Sequence, residues 1–217
     1  MTYINNESCT PQLLAPAGSK ESLIAAVESG ADAVYLGVRS LNARRGAANF
    51  SHDELADVVA YAHEHGVKVF LTLNTDVATR EVGQAARALE VARLAKVDAI
   101  LFTDPLFLAL RPFYPEVAFH FSTQAAIENS AGAQAAKELG INRVVLAREL
   151  SRDEISAVIK TGVETEIFTQ GALCFCISGR CLLSSWGGGR SGNRGTCTSP
   201  CRAAWTHNDN ASPQRML

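Results

Sequence analysis

The stretch SGADAVYLG (residues 29–37) decides the fold, because a helix end, a glycine and a buried strand follow one another in it. The same succession returns in AKVDAILFTD (95–104), LGINRVVLARE (139–149) and TGVETEIFTQG (161–171). The strand portions are apolar at consecutive positions, as in strands that are buried on both faces. Amphipathic stretches lie between them, so the pattern predicts parallel strands joined by right-handed helical crossovers.

The full pattern contains seven strand–helix units. Strands are predicted at Leu13–Pro16, Ala33–Gly37, Lys68–Asn74, Ala99–Asp104, Ala118–Gln124, Arg143–Glu149 and Glu164–Gly171. Such units most naturally close into a (β/α) TIM-type barrel, and an open doubly wound sheet is the alternative. A complete barrel typically needs about 250 residues. The chain has 217, with no eighth strand after Gly171, so an incomplete α/β barrel is predicted.

Composition excludes several classes of protein. With 47% hydrophobic and 19% charged residues, the chain has the make-up of a folded domain and not of a disordered one. The net charge of −2 does not by itself indicate binding to nucleic acid or to a membrane surface. No apolar run approaches the roughly 20 residues that span a bilayer, and residues 1–9 do not resemble a secretory signal. A cytoplasmic protein without membrane contact is therefore expected.

The cysteines divide the chain further. Five of the six fall within residues 174–201, beside seven of the 16 glycines, which lie between Gly171 and Gly195. We therefore expect an N-terminal tail (1–11), barrel units (12–171), a cysteine-rich cluster-binding segment of the same domain (172–204) and a polar tail (205–217). Residues 171–204 contain four arginines and no Asp, Glu or Lys. This composition is typical of a site-forming loop.

Spacing alone leaves the chemistry of the cysteines open. Flexible, glycine-rich backbone and four soft ligands suit an iron–sulfur cluster, and nearby arginines would offset its negative charge. A structural zinc site also uses four cysteines, but these usually occur as two closely spaced pairs. Only Cys197 and Cys201 have the spacing of such a pair. Structural or redox-active thiols are the third interpretation. A disulfide framework is disfavoured in a reducing compartment.

A family resemblance adds to these patterns. The run from Glu166 through Gly171-Ala172-Leu173-Cys174 to Gly179, Cys181 and Leu183-Ser184 resembles the signature of peptidase family U32, the collagenase-like proteases. The similarity continues upstream in LLAPAGS (13–19), NARRGAANF (42–50), KVFLTLNT (68–75), FHFSTQ (119–124) and VVLARELS (144–151). GRSGNRGTCTSPCR (189–202) resembles the branch that hydroxylates bases of ribosomal or transfer RNA, while a sister branch hydroxylates a quinone ring without oxygen.

The resemblance implies a [4Fe–4S] cluster and, for the RNA-acting members, prephenate as co-substrate. It implies Cys174, Cys181 and Cys197 as ligands, with Cys201 as the fourth and zinc as the alternative metal. Cys176 is interpreted as an extra thiol, since a ligand two residues from Cys174 would compete for the same corner of the cluster. Gln170 departs from the family, which usually has His there, and this weakens an acid–base role at that position.

Polar residues at the carboxyl ends of the strands are the remaining candidates, because barrel active sites lie at that end. We predict catalytic roles for four residues and substrate binding for five. The catalytic set is Asn74, Arg148, Glu149 and Glu166, and the substrate-binding set is Tyr35, Arg44, Gln124, Arg190 and Arg194. Arg44 and Arg148 would bind a small anionic co-substrate, and Arg190 and Arg194 would meet RNA phosphates. His120, inside the fifth strand, is predicted either to face the pocket or to be a core residue.

The leading hypothesis is therefore an iron–sulfur enzyme that hydroxylates an RNA base without oxygen. Proteolysis is one alternative, although the sequence contains no zinc-protease motif and no nucleophile elbow. Quinone-ring hydroxylation is another alternative. A non-enzymatic, cluster-bearing partner of a second protein subunit is the last.

Overall fold

Seven parallel strands in sequential order form the frame of the protein in a computed structural model, which describes residues 10–171, 174–205 and 214–215. The order β1-β2-β3-β4-β5-β6-β7 confirms the predicted incomplete barrel, because a doubly wound sheet would reverse direction part-way. The strands are β1 Leu14–Pro16, β2 Ala33–Gly37, β3 Lys68–Leu73, β4 Ala99–Phe102, β5 Ala118–Phe121, β6 Arg143–Val145 and β7 Glu164–Glu166.

Helices connect successive strands and cover the outer face of the sheet. They are α1 Lys20–Glu28, α2 Leu55–Glu64, α3 Val82–Leu94, α4 Leu106–Leu110, α5 Ser130–Glu138 and α6 Arg152–Ile159. Ser19 and Ser151 cap α1 and α6 through capping boxes, since each side chain accepts a bond from the backbone three residues on. Short 3-10 turns occupy Thr79–Glu81, Arg111–Phe113 and Thr123–Ala125.

The cysteine-rich segment has its own small elements. They are helix α7 Leu183–Gly188, the 3-10 turns Gly192–Arg194 and Pro200–Arg202, and a two-stranded antiparallel ribbon of β8 Ala204–Trp205 and β9 Gln214–Arg215. Residues 1–9 of the predicted N-terminal tail, which include Cys9, and residues 206–213 and 216–217 of the predicted polar tail lie outside the described residues.

Apolar side chains form two clusters, one on each face of the sheet. The larger lies between strands and helices and includes Phe102, Phe107 and Phe119. The smaller lies on the inner, concave face, where Phe70 and Leu101 pack with alanines and Val145. Burial on both faces explains why the strands are apolar at consecutive positions.

Most of the strands end earlier than predicted. The predicted strands continue to Asp104 and Glu149, whereas β4 ends at Phe102 and β6 ends at Val145. Asp104 explains one difference, because its carboxylate accepts bonds from the backbone N–H groups of Val77 and Leu106 and so starts the following turn. The polar residues after each strand therefore belong to the loops at the carboxyl end of the sheet.

The sheet is open between β1 and β7, each of which pairs with one strand. Across this gap the Arg143 guanidinium donates a 3.1 Å bond to Gln12, and within the sheet it donates a 3.1 Å bond to Glu164 of the adjacent β7. The side chain of Arg143 is 11% exposed and stacks on the ring of Phe70. A cation thus occupies the inner face at the amino end of β6 and β7.

Candidate functional site

The cysteine-rich segment lies across the carboxyl ends of the strands. The backbone N–H of Ser178 donates a 2.7 Å bond to Glu149, and the hydroxyl of Ser178 donates a 3.1 Å bond to the other carboxylate oxygen. Ser178 is fully buried. Both oxygens of Glu149 therefore hold the loop between Cys176 and Cys181, and the catalytic role of this residue stays a prediction.

Two glycines allow the segment to approach the barrel loops closely. A Cβ at Gly179 would stand 2.1 Å from the carbonyl oxygen of Gln124, after β5. A Cβ at Gly195 would stand 2.1 Å from the carbonyl oxygen of Asn42, after β2. Both glycines also have φ near +75°, which side-chain-bearing residues rarely adopt. The segment is thus seated on loops that come from different strands.

Substitution of Gly179 by alanine is expected to destabilise the seated segment by about 2 kcal/mol, through the backbone collision and the positive φ. Limited proteolysis within residues 174–205 would detect the release. Gly187→Ala is the matched control, since a Cβ there meets no atom within 4 Å. Equal protease resistance of the Gly179→Ala and Gly187→Ala variants would contradict the seating.

Arg194 anchors the cysteine-rich segment to the loop after β3. Its guanidinium donates 2.6 and 2.8 Å bonds to the carboxylate of Glu81 and a 3.1 Å bond to the carbonyl of Asp76. Arg194 was predicted to meet RNA phosphate, but its charge is neutralised within the chain. Arg190 is exposed, and its side chain has no hydrogen bond or ion pair with any residue that the structure describes.

Four thiols gather in the segment. Cys176 and Cys181 are in hydrogen-bond contact, and this bond, burial and the neighbouring Cys181, Cys174 and Cys201 raise the pKa of Cys176 to about 11. Cys176, interpreted as the extra thiol, therefore lies near three of the cysteines predicted as ligands. Cys197 instead accepts a 3.3 Å bond from the N–H of Ser199. Within the described ranges, no three His, Cys, Asp or Glu side chains converge on a point that could hold a metal ion.

Beneath the segment, buried polar atoms lack partners. They are Thr103 Oγ1, His120 Nδ1, Gln124 Oε1, Glu128 Oε1, Arg148 Nε and Glu166 Oε2, none of which bonds to a described residue. Such atoms cost about 1–3 kcal/mol each when left unpaired and are rare in folded proteins. Three of the residues predicted for the site, Gln124, Arg148 and Glu166, are in this set. Each of these atoms retains the capacity to bond to a polar ligand.

Tyr35, Arg44 and Glu166 lie close enough for their charges to interact. Burial raises the pKa of Tyr35, the positive charge of Arg44 opposes the rise, and the negative charge of Glu166 adds to it. Asn74 is engaged differently, since it accepts a 2.9 Å bond from the N–H of Ala43 and donates a 3.1 Å bond to Ser122. Asn74 thus ties the loop after β2 to the end of β5.

Arg143 is the residue that sequence reasoning missed. It begins β6, and its guanidinium lies 3.7 Å from the carboxylate of Glu166, which is too long for a hydrogen bond but close enough for an ion pair. Burial raises the pKa of Glu166 to about 7 although the charge of Arg143 opposes the rise. The only sequence signal was a charged residue among consecutive apolar positions in RVVLARE (143–149).

His120 is a core residue at the centre of the inner face. It is 3% exposed and packs edge-on against Phe70. Burial and the positive charges of Arg143 and Lys68 lower the pKa of His120 to about 3, so the imidazole is neutral. No cysteine of the described segment forms a pair with it that would provide a thiolate nucleophile.

None of the helices within residues 10–171 and 174–205 is long and apolar enough to cross a membrane. The fold and the site together define a (β/α)-barrel protein whose strands are covered at their carboxyl ends by a cysteine-rich segment.

The chain belongs to peptidase family U32, whose model matches residues 18–216. The resemblance seen in residues 166–184 is thereby confirmed. Among solved structures, the chain is similar to the U32 peptidase Mk0906, with a TM-score of 0.61 and 18% identity over 77% of this chain and 71% of that one. That likeness supports the incomplete barrel as the fold.

Curated relatives have two kinds of name. The tRNA hydroxylation protein P1 of Bacillus subtilis is 40% identical over 194 residues, which are 88% of this chain and 46% of the relative. A 23S rRNA 5-hydroxycytidine synthase of Escherichia coli is 38% identical over 91% of this chain and 30% of its own length. A collagenase of Porphyromonas gingivalis is 34% identical over 93% and 51%. The chain spans about half or less of the length of these relatives.

Proposed function

We propose that this chain forms the catalytic barrel of an enzyme that hydroxylates a base in transfer or ribosomal RNA. The observation that carries the proposal is the cysteine-rich segment, which Glu149 and Arg194 hold over a set of unpaired buried polar atoms. Relatives named for tRNA and rRNA hydroxylation cover nine-tenths of the chain and support the same chemistry.

The donor set suits an iron–sulfur cluster. Thiolates are the ligands of such clusters, and the segment offers five cysteines with no acidic side chain between residues 171 and 205. Cys174, Cys181, Cys197 and Cys201 would hold the cluster in this proposal, although among the described residues the thiols are not yet arranged around a common centre. A bound cluster would supply one-electron transfer.

The polar atoms beneath the segment would bind the anionic co-substrate. Arg148 offers an unpaired buried Nε donor, and Arg44 adds a positive charge near Tyr35. Hydroxylation replaces a C–H by a C–OH and removes two electrons from the base. Without dioxygen, the oxygen atom must come from water or from the co-substrate, and the co-substrate must accept those two electrons; prephenate is the co-substrate that the family implies. Glu166, whose pKa is near 7, can accept or release a proton at neutral pH.

The test is a reaction under anaerobic conditions with iron- and sulfide-reconstituted protein, unmodified tRNA or rRNA, and prephenate. Mass spectrometry of the digested RNA should show nucleosides that have gained one oxygen atom. Arg148→Gln should abolish the gain without releasing the cofactor. Proteolysis is tested in parallel with gelatin, and gelatin hydrolysis without any oxygen gain in RNA would replace the proposal by the peptidase function.

A further inference from the structure

The cysteine-rich segment exposes large apolar side chains that the fold does not bury. Trp186 is 83% exposed, and Phe175, Ile177 and Leu182 are each more than half exposed. All of them lie within twelve residues of sequence, from 175 to 186. Exposed apolar patches of this kind usually mark a binding surface.

Contacts within the segment bring these side chains together. The backbone N–H of Arg180 donates a 3.2 Å bond to the carbonyl of Ile177, so these two residues share a tight turn. Trp186 follows one helical turn later, since its backbone N–H donates a 3.1 Å bond to the carbonyl of Leu182. The backbone N–H of Arg190 donates a 3.4 Å bond to the carbonyl of Ser184 in the same helix. We call the surface formed by these exposed residues the aromatic–arginine patch; its members are Phe175, Ile177, Arg180, Leu182, Trp186 and Arg190.

The charge around the patch is positive. Residues 171–205 contain four arginines and no acidic residue, in a chain whose net charge is −2. Glu81 neutralises Arg194, but Arg180 and Arg190 are exposed and form no side-chain bond with any described residue. The patch thus combines exposed aromatic rings with unpaired guanidinium groups, next to the thiols of the candidate site.

We propose that the aromatic–arginine patch binds unpaired nucleotides of the RNA substrate, with bases stacked on Trp186 and Phe175 and phosphates paired with Arg180 and Arg190. This inference rests on the proposed function and adds that the substrate is presented as a single-stranded loop. Aromatic rings stack on splayed bases of single strands, whereas they cannot reach the stacked bases of an A-form duplex. The lack of acidic side chains in residues 171–205 favours binding of a polyanion such as RNA.

The experiment uses the intrinsic fluorescence of Trp186. The chain has two tryptophans, so Trp205→Phe leaves Trp186 as the only one. Titration with a single-stranded RNA of about ten nucleotides should quench its emission, and the matching duplex should not. In the otherwise unaltered chain, Trp186→Ala should weaken binding of fluorophore-labelled single-stranded RNA about tenfold, as expected for one lost stacked base. Arg180→Gln should lower the salt dependence of log Kd by about one.

Phe113→Ala is the matched control. Phe113 is 76% exposed in the connection between α4 and β5, at the amino end of the strands, and its loss should leave RNA affinity unchanged. Thermal melting of each variant checks that the fold is intact, which we expect because the substituted side chains are exposed.

Three results would overturn the patch. In the first, RNA binds but does not quench the emission of Trp186. In the second, the protein binds the duplex and the single strand equally well. In the third, the patch mediates self-association or binding to another protein, and RNA binds elsewhere. Failure of the proposed function is separate from these. If RNA quenches Trp186 but gains no oxygen, the proposed hydroxylation is contradicted and the RNA-binding role of the patch is retained. If the Trp186→Ala variant hydroxylates RNA with an unchanged KM, only the RNA-binding role of the patch is contradicted.

Discussion

Replacing Arg143 with methionine is expected to lower the free energy of unfolding by about 3 kcal/mol above neutral pH. The substitution leaves the buried carboxylate of Glu166 without its nearest positive charge and also removes the bonds to Glu164 and Gln12. Urea denaturation at about pH 8 and about pH 5 would measure the change. The loss should be smaller at the acidic pH, where Glu166 is protonated in the folded protein.

The sign of the pH dependence follows from Glu166. Its pKa is raised from 4.5 to about 7 on folding, so its contribution to stability is fully present below pH 4.5 and is lost as the pH rises through 7. The positive charge of Arg143 opposes the rise in the pKa of Glu166. Removal of Arg143 should therefore raise that pKa further, so that stability continues to fall at higher pH. The double variant Arg143→Met/Glu166→Gln is the control, because it has no carboxylate at position 166. Additive losses in the double variant would show that the two side chains are not coupled.

Replacement of Cys181 with serine is expected to abolish cluster binding and, with it, RNA hydroxylation. Reconstituted wild-type protein should contain about four iron atoms per chain and absorb in the visible range. The variant should be colourless, because a serine hydroxyl is a poor ligand for iron in such a cluster. Iron and sulfide analysis after anaerobic reconstitution is the measurement.

Cys176→Ser and Cys197→Ser show which set of thiols holds the cluster. We expect Cys176→Ser to retain iron and Cys197→Ser to lose it. The opposite outcome would mean that the group gathered around Cys176, with Cys174, Cys181 and Cys201, holds the cluster. Wild-type protein that retains zinc and excludes iron would contradict the cluster altogether.

The frame of the fold could be predicted from the sequence because its signals are local. A strand buried on both faces is apolar throughout, and repeated strand–helix units define a parallel sheet. The carboxyl ends of the strands were less predictable, since Asp104 begins a turn where the apolar run alone would continue the strand.

Roles within the site depend on partners that are distant in sequence. Arg194 and Glu149 both carry charges that could serve a substrate, and only the folded chain shows that Glu81 and Ser178 engage them. Arg143 likewise acquires its importance from Gln12, 131 residues away. Residue type and strand position nominated Gln124, Arg148 and Glu166, because those residues follow or end their strands, and each of them has a buried polar atom without a partner among the described residues.

The seating of the cysteine-rich segment also has a consequence for the order of folding. Its anchors come from loops after β2, β3, β5 and β6, and the bond between Arg194 and Glu81 joins residues 113 positions apart. Contacts of such long range form late, because the chain must first close the intervening loops. We therefore expect the segment to reach its seat only after the sheet has been assembled, and the metal cluster proposed for it would, once bound, report that the barrel beneath it is complete up to β6.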